Sequence, residues 1–180
     1  MNYLHHYWLT SHTLVGAVHF ITASLGLLLG LGVLLLRPGS RLHKRTGYAF
    51  VVLLVAVNLS ALFIHQLGFR WGPFHLIIPF SLWALYKGLR PFYGAARPAY
   101  ADKMRAHTSG MVAAALGLWA AFAAEFSVRT PLLGNLLAAI PFDRVGVLTI
   151  EGFAIAFAFR YLIGVVTRRQ LRRLGLVAAA

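Results

Sequence analysis

Only four acidic residues occur among 180, and both glutamates, Glu125 and Glu151, fall inside long apolar runs. A carboxylate in such a run is costly to leave alone, so it faces a cavity or a partner. Histidines stand at the same level of neighbouring runs: His19 within the first, His65 closing the second and His75 opening the third. Imidazole and carboxylate together suit zinc, iron, copper or manganese, and a pair of imidazoles can hold a haem. On this reading His19, His65 and His75 are metal ligands, and Glu125 and Glu151 are ligands or proton acceptors. The donor must be neutral imidazole, so binding should weaken as pH falls through histidine's ordinary pKa of ~6.5. Each residue taken singly also fits a simpler role, as an interfacial histidine or a glutamate hydrogen-bonded to a neighbouring helix.

The elements that would position these groups are apolar runs at roughly 13–36, 46–66, 73–92, 109–127 and 147–167. Each approaches the ~20 residues that cross ~30 Å of hydrocarbon. Hydrophobic residues make up 59% of the chain, against roughly 45–50% in soluble domains, and the mean hydropathy is +0.73. The expected fold is therefore all-α: one transmembrane domain over residues 1–180, with four helices in a core bundle and a fifth packed alongside. The opening MNYLHHYWLTSH has no Lys or Arg and leads to no small-residue cleavage signal, so the first run is expected to stay in the protein. Without cysteine, thiolate metal sites, disulfides and thiol catalysis are excluded.

A formal charge of +13 and a pI near 11.3 would suggest nucleic acid in a soluble protein, but here the charge follows the runs. Arg37, Arg41, Lys44 and Arg45 follow the first run, Lys87, Arg90, Arg97, Lys103 and Arg105 surround the third turn, and Arg168, Arg169, Arg172 and Arg173 follow the fifth. The other side carries only Arg70, Arg129 and Arg144. The positive-inside rule then places the N-terminus outside and the C-terminus in the cytoplasm of a multi-pass inner-membrane protein. Its basic face meets anionic lipid headgroups, and no nucleic-acid partner is expected. The segment PLLGNLLAAIP, residues 131–141, is too short to cross and is expected to lie at the outer interface or re-enter it.

Small residues mark the faces where helices meet. His12, Gly16, His19, Ala23, Gly26 and Gly30 form one stripe at alternating steps of four and three. Gly110, Ala114, Gly117 and Ala121 form another that leads to Glu125. Close helix packing is expected at Gly16, Gly26, Gly30, Gly110 and Gly117.

A second possible site lies on the basic side, where His43 precedes Gly47 by four residues and His107 precedes Met111 by four. Helix capping, or a basic surface facing headgroups, would also account for both histidines. The first run with "HFITASLGLLLGLGVLLLR", then "RLHKRTGYAF", "LWALY" and "HTSGM" in that order resemble the DUF2306 family of bacterial membrane proteins. That family's pattern is an H-R-x-x-G-R-x-Y turn followed by an H-x-x-x-M start to a later helix. The resemblance covers about residues 13–125 and places His19, His43, Gly47, His107 and Met111 on family positions. Lys44, Tyr48 and Phe50 depart from the pattern, and Tyr48 replaces a basic residue. The resemblance implies a fold and leaves the activity open. The H-x-x-x-G start also resembles the haem-bearing helices of the cytochrome b561 and ferric-reductase groups, although Val57 stands where their second histidine falls.

Three functions are consistent with these residues. The first is a membrane protein whose outer His/Glu site binds a transition metal or haem b for electron transfer or metal handling. The second is an accessory subunit that docks through its glycine stripes to a larger membrane complex or to its own copies. The third is a proton- or cation-coupled carrier, although no internal repeat of the kind many carriers show is present. If the chain is an enzyme, an oxidoreductase fits better than a hydrolase, since no nucleophile, base and orienting group can be assigned together.

Overall fold

A computed structural model describes residues 14–64, 73–93, 98–129 and 144–176. His65 and residues 131–141 lie outside the described residues. Five helices follow one another: α1 (Leu14–Leu35), α2 (Arg41–Ala61), α3 (Ile77–Tyr93), α4 (Tyr100–Arg129) and α5 (Arg144–Arg173). A 3₁₀ turn, Pro73–Leu76, leads into α3. There is no strand among the described residues.

The turn between α1 and α2 is set by its own residues. Gly39 takes a positive φ of 79°, which a side chain would resist. Ser40 then caps α2, its hydroxyl accepting from the His43 backbone N–H at 3.1 Å. The basic residues Arg41, Lys44 and Arg45 thus form the first turns of α2 instead of a loop, and the helix runs from Arg41 to Ala61 where residues 46–66 were expected. Tyr100 likewise starts α4 well before the expected residue 109, so Lys103 and Arg105 are helical. Ser40→Ala removes an N-cap and should lower stability by about 1 kcal/mol, readable as a lower midpoint of thermal unfolding in detergent.

Helices α1 to α4 close a ring in chain order: α1 packs on α2, α2 on α3, α3 on α4 and α4 on α1. Helix α5 packs mainly on α4. This is the expected four-helix core with a fifth helix alongside. Phe50 and Leu54 are fully enclosed at its centre, with Val33, Leu85, Met111 and Ala114 around them. At one end Gln170 Nε2 donates to the Leu34 carbonyl at 2.6 Å, and Arg105 Nη2 donates to the Leu176 carbonyl at 3.3 Å. These bonds bring the end of α5 to the end of α1 and the start of α4. The three basic segments therefore gather at one end of the bundle.

The outward faces are apolar. Val18, Ile21, Leu25 and Leu28 on α1 and Phe153, Phe157 and Leu162 on α5 are exposed, as suits contact with lipid tails and not with water. Three helical segments, Leu14–Leu35, Tyr100–Ser127 and Ile150–Arg173, are long and apolar enough to cross a membrane. Helix α2 opens on three basic residues and α3 has 17 residues, and both pack inside the same bundle.

Candidate metal centre

His43 lies one turn into α2, before the apolar run that begins near residue 46. Ser40 already caps the helix, so the imidazole is not needed as a cap and is partly buried. Its Nδ1 is buried without a hydrogen-bond partner. Burial holds the ring's pKa below that of an ordinary imidazole, and the hydrogen bond to the Val33 carbonyl of α1 offsets this in part. The ring is therefore neutral at pH 7, as a metal donor must be.

His107 lies two turns into α4, too far from the helix start to cap it. Its Nδ1 sits 2.9 Å from the Gly88 carbonyl of α3. A carbonyl can only accept, so Nδ1 carries the proton and the lone pair is on Nε2. Ligating histidines are commonly oriented in this way, by a carbonyl on the nitrogen away from the metal. Phe92 packs edge-on against the ring at 5.0 Å, and Lys103 lies 4.4 Å above the Phe92 ring. His43 is on α2 and His107 on α4, diagonal members of the ring.

One turn beyond His107, Met111 is buried beside Gly88. A Cβ on Gly88 would lie 3.0 Å from the Met111 sulfur. His107 and Met111 thus share the face of α4 that meets α3. His43, His107 and Met111 all lie toward the basic end of the bundle, and their side-chain types suit haem iron or copper.

The residues expected to form the other site are spread over α1, the turn before α3, α4 and α5. His19 Nδ1 lies 2.9 Å from Ser60 Oγ. The Ser60 hydroxyl donates to the Ala56 carbonyl at 2.8 Å, so it accepts the proton of His19 Nδ1. His75 is in the turn before α3, Glu125 is on α4, and Glu151 is on α5 in a groove against α4. Among the described residues no three of His, Cys, Asp and Glu are grouped to hold a metal ion.

Gly16, Gly26, Gly30 and Gly110 are buried. A Cβ on Gly30 would come within 2.9 Å of Phe50, and one on Gly26 within 3.1 Å of Leu118. At Gly117 it would meet nothing within 4 Å, so that glycine makes no close approach. Gly88 was missed by sequence reasoning, although Ala84 and Gly88 form a small-xxx-small pair in α3 that could have pointed to it.

A family model described as "Predicted membrane protein (DUF2306)" matches residues 16–139. The match includes His19, His43, Gly47, His107 and Met111 and leaves out Glu151. No curated protein matches the chain, and no solved structure matches it.

Proposed function

Because the chain belongs to the DUF2306 family of predicted membrane proteins, we propose that it is an inner-membrane redox or metal-handling protein that holds a transition-metal centre between His43 and His107. The centre is a b-type haem iron or a copper ion, with the Met111 thioether available as a further soft donor. The observation that carries the reading is the pair of imidazoles on diagonal helices. His107 has its Nδ1–H committed to the Gly88 carbonyl, and His43 has a buried, unpartnered Nδ1. Such a centre would supply one-electron chemistry. The chain's own part is to keep both imidazoles neutral, fix the tautomer of His107 and surround the donors with Phe92, Met111 and the packed core.

In the same proposal all five helices cross the bilayer, with the basic end in the cytoplasm as the excess of Arg and Lys favours. The test is a reduced-minus-oxidised absorption spectrum of the detergent-purified protein, with elemental analysis on the same sample. A sharp b-type α-band, or one equivalent of copper with a featureless visible spectrum after reduction, is the expected result. A flat spectrum from a sample without stoichiometric metal overturns the proposal and favours the accessory-subunit reading.

A further inference from the structure

Arg160 is an exposed cation well inside the apolar length of α5, about two turns before Arg168. A guanidinium at that depth in a bilayer is costly unless it meets an anion or reaches the headgroups. No carboxylate of the described residues meets it, since the one ion pair among them joins Arg105 to Asp102 at 3.3 Å. At ~100° per residue, Phe153, Phe157, Arg160, Gly164 and Arg168 fall within an arc of about 80° on α5. Along this stripe both phenylalanines and both arginines are exposed. Arg168 lies back along the helix toward Gly164: a Cβ on that glycine would be 4.0 Å from Arg168 Nη2 and would meet nothing else so close. The absent side chain leaves a shallow recess, with one guanidinium beside it and a second one turn away.

We propose that this recess holds the phosphate of an anionic phospholipid. The phosphate oxygens accept from Arg168 and Arg160, while an acyl chain runs over Phe157 and Phe153 toward the bilayer centre. The planar, always charged guanidinium matches phosphate oxygens in geometry and in sign. The order of the stripe fits such a molecule from head to tail, with the cations nearest the basic end, where headgroups lie, and the phenyl rings deeper. A zwitterionic lipid brings its own ammonium to the same two cations and gains less. A second copy of the chain does not fit, because a two-fold contact across this stripe would set Arg160 against its own counterpart with no acid between them. The site rests on α5 crossing the bilayer, as proposed for all five helices, and uses no residue of the proposed metal centre.

Titration of the purified full chain in neutral micelles with dioleoylphosphatidylglycerol, with bound lipid counted by native mass spectrometry, tests the proposal whether or not a metal is present. One such lipid is expected to bind about tenfold more tightly than dioleoylphosphatidylcholine, which has the same chains. Arg160→Gln and Arg168→Gln should each weaken that lipid by about tenfold. Arg169→Gln removes the same charge from the far side of α5 and should change the affinity by less than about twofold. Gly164→Leu keeps both cations and fills the recess on an outward face, where packing of the bundle is untouched, and should weaken binding as much as loss of either arginine. Equal affinity for the two lipids, an equal loss in Arg169→Gln and Arg160→Gln, or unchanged affinity in Gly164→Leu would each overturn the proposal. Full displacement of the lipid by inorganic phosphate would overturn it by assigning the recess to a free anion, and stoichiometric retention of another protein through Arg160 would do so in favour of an acidic partner helix.

Discussion

Replacing Gly110 by alanine is expected to destabilise the bundle by about 3 kcal/mol, the upper end of ordinary overpacking penalties. A Cβ there would overlap the Gly88 backbone nitrogen, lie 2.6 Å from the Gly88 Cα and lie 2.7 Å from the Ala84 carbonyl oxygen. All three atoms belong to main chain inside α3, so no rotamer change can relieve the clash and the two helices must separate. That separation also reaches the proposed metal centre, because the Gly88 carbonyl is the partner of His107. For a chain of this size the loss corresponds to about 6–12 °C in the unfolding midpoint. Gly117→Ala on the same helix is the control and should leave the midpoint unchanged or raise it slightly, since its Cβ enters open space. Equal midpoints for the two variants would show that α3 and α4 do not cross at Gly88 and Gly110.

The comparison of Gly110 with Gly117 shows how much of the fold could be read from the sequence. Seven residues apart, they share a helical stripe, and periodicity alone makes them equivalent. What separates them is where α3 approaches α4 most closely, which depends on both helices and is encoded in neither stripe. The five helices themselves were legible because each apolar run is long. Their ends were less so: Arg41, Lys44 and Arg45 read as a charged loop, yet Ser40 after Gly39 supplies a cap that draws them into the helix.

The candidate site was legible in part for the same reason. His19, His75, Glu125 and Glu151 were assigned a common depth from their distances to helix ends. Depth fixes only one coordinate. The other, rotation about each helix axis, turns His19 to Ser60 and Glu151 to the α4 groove. His43 and His107 each opened an apolar helix four residues before a small or soft residue, and that spacing was visible. Their relation across the diagonal of the ring was not, because it requires knowing that four helices close in chain order. The Gly88 carbonyl that orients the His107 ring carries no sequence signature, since every residue has one.

With the proposed ligation by His43 and His107, His107→Asn is expected to remove at least nine-tenths of the bound metal or haem while leaving the fold intact. The asparagine Nδ2 can occupy the place of the histidine Nδ1 and donate to the Gly88 carbonyl, but no atom replaces Nε2. Loss of the centre with an unfolding midpoint close to that of the metal-free parent therefore identifies Nε2 as a ligand. His107→Ala provides the contrast, because it also removes the bond to the Gly88 carbonyl, at a cost of about 0.5–1.5 kcal/mol. His43→Ala should lose the centre as well, since a single remaining imidazole cannot hold a haem iron in the same ligation, and added imidazole should restore part of the spectrum by entering the space left behind. If His107→Asn keeps the full metal content of the parent, His107 does not ligate the centre, and its bond to Gly88 is a helix-packing bond alone.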